Sequence, residues 1–202
     1  MMKKLVERNE KISEDNVYAV IHRIEDHIAR VQYFYNEMIK AGFIPSKYIR
    51  LKEVEEHDAD KLESYNLERQ ALRYCIPRDE LTDEDLKDIE NVVREHIKNN
   101  PHHCEYWCDG DQNSNNMDCS KMPISEIYIM MADWAATSEE KKGISPRLWF
   151  KENVVSEGGK KWKFTDEQLA VIKKCLSFFN GKINPSLKRD YGLETNSLSV
   201  GK

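Results

Sequence analysis

The chain has 202 residues, 33% charged and 40% hydrophobic, with a formal net charge of −5 and a mean hydropathy of −0.74. That length suffices for one domain with a real core, and no apolar run approaches the ~20 residues of a membrane-spanning helix. The acidic balance argues against a general nucleic-acid coat but leaves room for a local basic pocket around a phosphate.

Eight glycines and six prolines are few for this length. With many Glu, Lys, Leu and Ile, they lead to the expectation of an all-α fold. The chain reads as a single helical domain over residues 1–180 with a polar tail over 181–202. The opening Met1-Met2-Lys3-Lys4-Leu5-Val6 turns acidic at Glu7 and lacks the apolar centre of a secretory signal. Five cysteines (Cys75, Cys104, Cys108, Cys119, Cys175) are an odd number. Reduced thiols and a cytoplasmic location are therefore expected. No membrane partner is expected, and a homo-oligomer is compatible with the sequence.

The first helix is expected over Glu14 to Ala41, capped by Ser13 and stopped by Gly42. Val17, Val20/Ile21, Ile24, Ile28, Val31, Phe34/Tyr35 and Met38 fall at the 3–4 spacing of one helix face. A second helix is expected over Lys47 to Glu56, and a third over Lys61 to Tyr74, ended by Pro77. Thr82 with Asp85 caps a fourth that reaches Asn99, where Asn100-Pro101 disfavours further helix. Residues 104–122 read as a loop. Pro123 opens a fifth helix over Ile124 to Thr137, and Ser145-Pro146 a short one through Asn153. Ser156-Glu157-Gly158-Gly159 reads as a turn. Thr165 with Gln168 is a capping-box pattern before a last helix ending near Asn180-Gly181.

Chemistry concentrates on the apolar faces of these helices. His27 continues the stripe of the first helix between Ile24 and Val31. His57 and Asp58 follow Val54 by three and four residues. His96 lies four residues after Val92, His102-His103 just past the fourth helix, and Asp133 four residues after Ile129. One histidine on an apolar face is more often a hydrogen-bonded core residue than a ligand. Burying this many titratable groups is costly unless something replaces their hydration, and a divalent metal does so for several at once. Imidazole and carboxylate together suit Mn, Fe, Co, Ni or Zn rather than Ca.

The ordered set His27, His57-Asp58, His96, His102-His103, Asp133 resembles the signature of the HD-domain superfamily of metal-dependent phosphohydrolases. His57-Asp58-Ala59-Asp60-Lys61 resembles that superfamily's His-Asp-x-x-Lys run. His102-His103-Cys104-Glu105 is similar to the His-His-Glu stretch of the HD-GYP phosphodiesterases, one residue longer and without their Gly-Tyr-Pro. As a whole, including Asn100-x-His102-His103-x-Glu105-x-Trp107 and Asp133-Trp134, the chain looks most like an uncharacterised family of small HD-like proteins from bacteria and phages, which implies no activity.

What the resemblance implies is a helical bundle of HD type with two divalent transition metals per chain. The ligands would be His27, His57, Asp58, His96, one or both of His102 and His103, and Asp133, with Asp58 bridging. A metal-activated water would attack a nucleotide or other small phosphate ester. Lys61 would neutralise charge on the phosphate. From helical periodicity, Glu126, seven residues before Asp133, is a candidate to orient a ligand or water, as are Asn100 and Glu105. Helix caps or solvated charges would explain them equally well. Arg69, Arg73, Arg147 and Lys151 are candidate phosphate contacts, though most helical charges are simply solvated.

Two other readings stay open. Some proteins of this fold hold two irons with four His and two Asp and activate dioxygen, and this chain has that ligand count. A non-catalytic interaction module is the other, with Tyr106, Trp107, Trp149, Phe150, Trp162 and Phe164 as partner surface, although closing the pocket or packing the C-terminal helices is the more ordinary role for these residues. A structural zinc site on Cys104, Cys108 and Cys119 lacks a second compact pair. The run from Asp109 lacks the Gly and Glu of a calcium loop.

Overall fold

The computed structural model describes residues 12–108, 117–141, 145–151, 154 and 162–183. Within them lie seven α-helices: α1 Glu14–Lys40, α2 Leu51–Glu55, α3 Ser64–Cys75, α4 Asp83–Asn99, α5 Ile124–Glu140, α6 Pro146–Phe150 and α7 Asp166–Phe178. The fold is all-α, as its composition leads one to expect. One isolated bridge, Asp118 with Lys163, is the sole β-type pairing among the described residues. No helix among them is long and apolar enough to cross a membrane.

Caps set the helix ends. At α1 the Asn16 amide donates to the Ser13 hydroxyl while the Ser13 amide donates to the Asn16 side chain. Gly42, at φ +63°, closes the far end, with its amide on Ile39 O and that of Phe43 on Met38 O. A residue with a Cβ would be strained there. Thr82 with Asp85, Ser145 with Leu148, and Thr165 with Gln168 make the other caps read from sequence.

Three boundaries differ from expectation. The helix expected over Lys47 to Glu56 is two pieces, a 3-10 turn Ser46–Tyr48 and α2. The Tyr35 hydroxyl accepts from the Arg50 amide (2.9 Å) and donates to Tyr48 O (3.4 Å), taking up backbone groups at the break. The third helix starts at Ser64 rather than Lys61. Ala59–Leu62 is a 3-10 turn, Glu63 is extended, and the Asn66 amide group donates to Asp60 O. Helix α5 runs one turn beyond Thr137, to Glu140. The expected Gly158-Gly159 turn, Asn153 and the tail beyond 183 lie outside the described residues.

Chain contacts divide the protein into two units. Among the described residues, unit 1 comprises 12–26 and 58–96. Its apolar residues Val17, Val20 and Ile24 of α1, Leu67, Ala71 and Leu72 of α3, and Ile89 and Val92 of α4 are all buried. The Cys75 thiol lies 3.8 Å from Asn16 O.

Unit 2 comprises 27–57 and the described residues between 97 and 183. Its centre is α5, which is buried along most of its length and packs against α6 and α7. Val31, Phe34, Tyr35 and Met38 of α1 join Ile127, Met130 and Met131 of α5 and Ile172, Cys175 and Phe179 in one core. Full burial of each such aliphatic side chain stabilises by about 1.5–3 kcal/mol. Trp134, Trp149 and Trp162 meet ring to ring at 4.4 and 4.9 Å. Of the six aromatics weighed as partner surface or as packing, five pack in or against this core, and Tyr106 is exposed.

Gln168 ties α7 to the segment before α5. Its side-chain amide donates to the carbonyls of Cys119, Ser120 and Met122 while it also closes the α7 capping box. A buried polar group that loses its partner costs about 1–3 kcal/mol. Gln168→Leu is therefore expected to lower the unfolding free energy by about 2–4 kcal/mol, read from urea denaturation. An unchanged midpoint would mean that water replaces those bonds.

Candidate metal centre

Three segments of unit 2 bring His27, His57 and Asp133 together. Each offers one ligand atom, and the three atoms lie within 4.8 Å of one another. His27 sits on the inner stripe of α1, Asp133 on the buried side of α5, and His57 in the turn after α2. Asp133 Oδ1 is 3.1 Å from His27 Nε2 and 4.0 Å from His57 Nε2. A tetrahedral ion with ligand bonds of about 2.0–2.1 Å has ligand–ligand edges of about 3.3 Å, which those separations bracket. The His102 ring stands 4.2 Å from that of His57, and the His103 ring 4.3 Å from that of His102. The turn after α4 that presents them is held by His103 N on Asn100 O and by the Trp107 indole on Pro101 O.

Burial would raise the Asp133 carboxyl. The His27 hydrogen bond, with the charges of His27, His57 and His102, outweighs burial and holds it well below the usual range. This site is built for an anion shared among imidazoles, or for a cation that replaces their protons.

Unit 1 carries a second group on the same plan. His96 of α4 is buried, with Nε2 3.3 Å from Asp58 Oδ1 and Nδ1 2.8 Å from Asp60 Oδ2. Burial would lower its pKa, but the bonds to Asp58 and Asp60 prevail and raise it. Asp60 is shifted down, its burial offset by the same His96 bond. Asp58 Oδ2 takes Lys61 Nζ at 2.5 Å. Asp58 is 1% exposed and has φ +57°, the one non-glycine residue with positive φ among those described. Such a backbone costs roughly 1–2 kcal/mol and collects at functional positions.

The two groups share a pattern. His27 has the Glu140 carboxylate on Nδ1 at 2.5 Å and Asp133 on Nε2, just as His96 has Asp60 and Asp58. Metal-binding histidines characteristically donate their second N–H to a carboxylate, which fixes the ring and its tautomer. Carboxylates only accept, so a ring between two of them donates from both nitrogens as imidazolium. A metal at Nε2 takes over that proton's role. The three donors His27, His57 and Asp133 could hold a metal ion, and imidazole with carboxylate suits a divalent transition metal; within unit 1 Asp58 and His96 supply two such donors.

The carboxylates Glu140 and Asp60 were not singled out in the sequence. Glu140 lies on the last turn of α5, beyond the end at Thr137 that the sequence leads one to expect. Its spacing of seven from Asp133 is the signal that marks it as facing the same way. Beside it, Glu139 pairs with Arg30 at 2.6 Å. Glu126 faces a different neighbourhood. Its charged neighbours are Glu53 and Arg50, and burial followed by Glu53 raises its pKa. Two helical turns, about 11 Å, separate it along α5 from Asp133, so a role in orienting that ligand gains nothing from the structure.

The candidate phosphate contacts divide. Arg69 is engaged by Glu68 and Asp88, both at 2.9 Å, and lies over the Tyr65 ring. Arg147 and Lys151 are exposed. Arg73 lies against Tyr74. All five cysteines are free thiols, as expected. Cys108 and Cys119 sulfurs are 3.5 Å apart, and the Cys104 sulfur is 3.3 Å from that of Met130. Burial pushes the Cys175 thiol up to about 12 and Cys75 up to about 11, so both stay protonated.

A family model described as a family of unknown function (DUF5662) matches residues 16–177. No curated protein and no solved structure matches the chain.

Proposed function

The chain belongs to this family, whose description assigns no chemistry, and from the site itself we propose that it is a metal-dependent phosphohydrolase acting on a nucleotide or other small phosphate ester. The observation that carries the reading is the repeated carboxylate–histidine–carboxylate arrangement at His27 and His96, joined to a lysine on the Asp58 carboxylate. The order of these residues, similar to that of the HD-domain superfamily, supports it.

His27, His57 and Asp133 would hold one ion, with His102 or His103 as further donors. Asp58 and His96 would serve a second. Mn, Fe, Co, Ni and Zn all suit these donors. Bound there, such ions would acidify a water and polarise a phosphoryl oxygen. Glu140 and Asp60 keep the two Nε2 atoms aimed and basic by holding Nδ1. Lys61, held in place by Asp58, supplies a fixed positive charge for the developing charge on the phosphate.

The test is phosphate release from a panel of nucleotides and phosphomonoesters with each divalent metal, beside oxygen uptake with ferrous iron. Hydrolysis is expected, and Lys61→Met should lower kcat about 100-fold or more while bound metal is unchanged. Oxygen uptake without phosphate release would replace the hydrolase with a di-iron oxygenase. Neither activity, in protein that retains its metal, would leave a non-catalytic module.

A further inference from the structure

Unit 1 holds a concentration of positive charge that metal binding does not explain. Tyr74, at the end of α3, has the Arg23 guanidinium 3.8 Å from its ring centroid and that of Arg73 at 5.3 Å. Arg23 also hydrogen-bonds the Tyr74 hydroxyl, and Lys61 adds a third positive charge to its surroundings. Burial would raise the hydroxyl's pKa, yet the charges of Arg73, Arg23 and Lys61 bring it down to about 7.

Arg73 is the informative member. Its Nε is buried and has no hydrogen-bond partner among the described residues. Arg69, one turn earlier on the same helix, also has a buried Nε without a partner, but its two terminal nitrogens take the carboxylates of Glu68 and Asp88. A buried guanidinium donor left without an acceptor is costly. Stacking on an aromatic face recovers only part of that cost. A planar fork of N–H donors beside a hydroxyl matches the tetrahedral oxygens of phosphate, which guanidinium binds in bidentate fashion.

We propose that Arg23, Arg73 and the Tyr74 hydroxyl form an oxyanion subsite that binds a phosphate group. The subsite deepens the phosphohydrolase reading, because it names a place where a substrate phosphate would be held. Its occupation by phosphate requires no hydrolysis, so the two can fail separately. The bound anion accepts from Arg73 and Arg23 and replaces the phenolate as counter-charge, which leaves the Tyr74 hydroxyl protonated and donating.

The experiment is calorimetric titration of the full chain, as purified, with inorganic phosphate and in parallel with glycerol phosphate. Wild type and Arg73→Gln preparations of equal metal content are compared. Absorbance at 295 nm follows tyrosine ionisation between pH 5.5 and 8.5. Wild type is expected to bind both ligands, and Arg73→Gln to bind them at least about tenfold more weakly. One tyrosine, absent from Tyr74→Phe, should titrate near pH 7 and move upward when phosphate is added. Arg73→Lys, which keeps the charge but not the fork, should bind with intermediate affinity, and it guards against a folding defect in the glutamine variant. Tighter binding of glycerol phosphate would identify an ester as the ligand, and equal binding the free anion. Equal affinity in wild type and Arg73→Gln would mean that phosphate sits elsewhere, on the metals for instance, and would overturn the subsite. So would no binding by wild type. Phosphate binding by the subsite without hydrolysis of any tested ester would overturn the hydrolase reading alone.

Discussion

If the chain is the metal-dependent phosphohydrolase proposed above, Asp133→Asn is expected to remove at least one bound divalent ion per chain and to lower that activity about 1,000-fold or more. Asparagine keeps the size of aspartate and lacks its charge, and Asp133 supplies the carboxylate of the His27–His57 group. Metal content by mass spectrometry after dialysis against metal-free buffer decides the matter. Equal metal in the variant and wild type would remove Asp133 from the ligand set. Glu140→Gln provides the graded comparison, since it holds His27 only at Nδ1. Its metal affinity should fall about 10–100-fold, with activity restored by excess metal. A merely structural Glu140 would not give that rescue.

The same substitution has a signature in metal-free protein. The folded Asp133 carboxyl is depressed, so its contribution to stability is present above the ordinary carboxylate range near pH 4. It is lost as pH falls through the folded value. Asp133→Asn should therefore be less stable than wild type at pH 7 by about 3 kcal/mol. The difference should narrow steadily below pH 4.

Periodicity carries the inner faces of α1, α4 and α5, because hydrophobic spacing is a local property and those helices are long. His27, His96 and Asp133 could be placed on those faces from sequence alone. Asp60 could not be singled out, since a carboxylate that orients an imidazole is, in sequence, one acidic residue among 36, and the spacing of Glu140 from Asp133 counts only once α5 is known to reach it. Short elements fail for a related reason. The break at Ile49–Arg50 depends on the hydroxyl of Tyr35, fifteen residues away from Arg50. The 3-10 turn at Ala59–Leu62 depends on a left-handed Asp58. Neither the break nor the turn leaves a trace in helical spacing.

That left-handed backbone gives the second large effect, and a glycine separates it from the carboxylate. Asp58→Gly relieves the φ of +57° at no steric cost, whereas Asp58→Ala keeps the strain. Both variants take away the Asp58 carboxylate from Lys61 and from His96. Glycine should be more stable than alanine by about 1 kcal/mol, the reverse of their usual order in structured segments. Both should lose the proposed hydrolase activity about 1,000-fold and the proposed second ion alike. Asp58→Asn, whose side chain tolerates the left-handed region, should retain stability nearer to glycine without regaining activity.

His96 adds a pH dependence with a definite sign. Its folded pKa is raised, so its contribution to stability is complete below the unfolded value near 6.5 and disappears as pH rises through the folded value. In metal-free protein the deficit of Asp58→Gly against wild type should therefore be largest in mild acid and shrink in alkali. Urea denaturation of the three variants and wild type across pH 5 to 9 measures both effects. If glycine and alanine were equally stable, the backbone at Asp58 would carry no strain. If Asp58→Gly kept its metal and its activity, the carboxylate would be structural, and the second ion would need other ligands than Asp58.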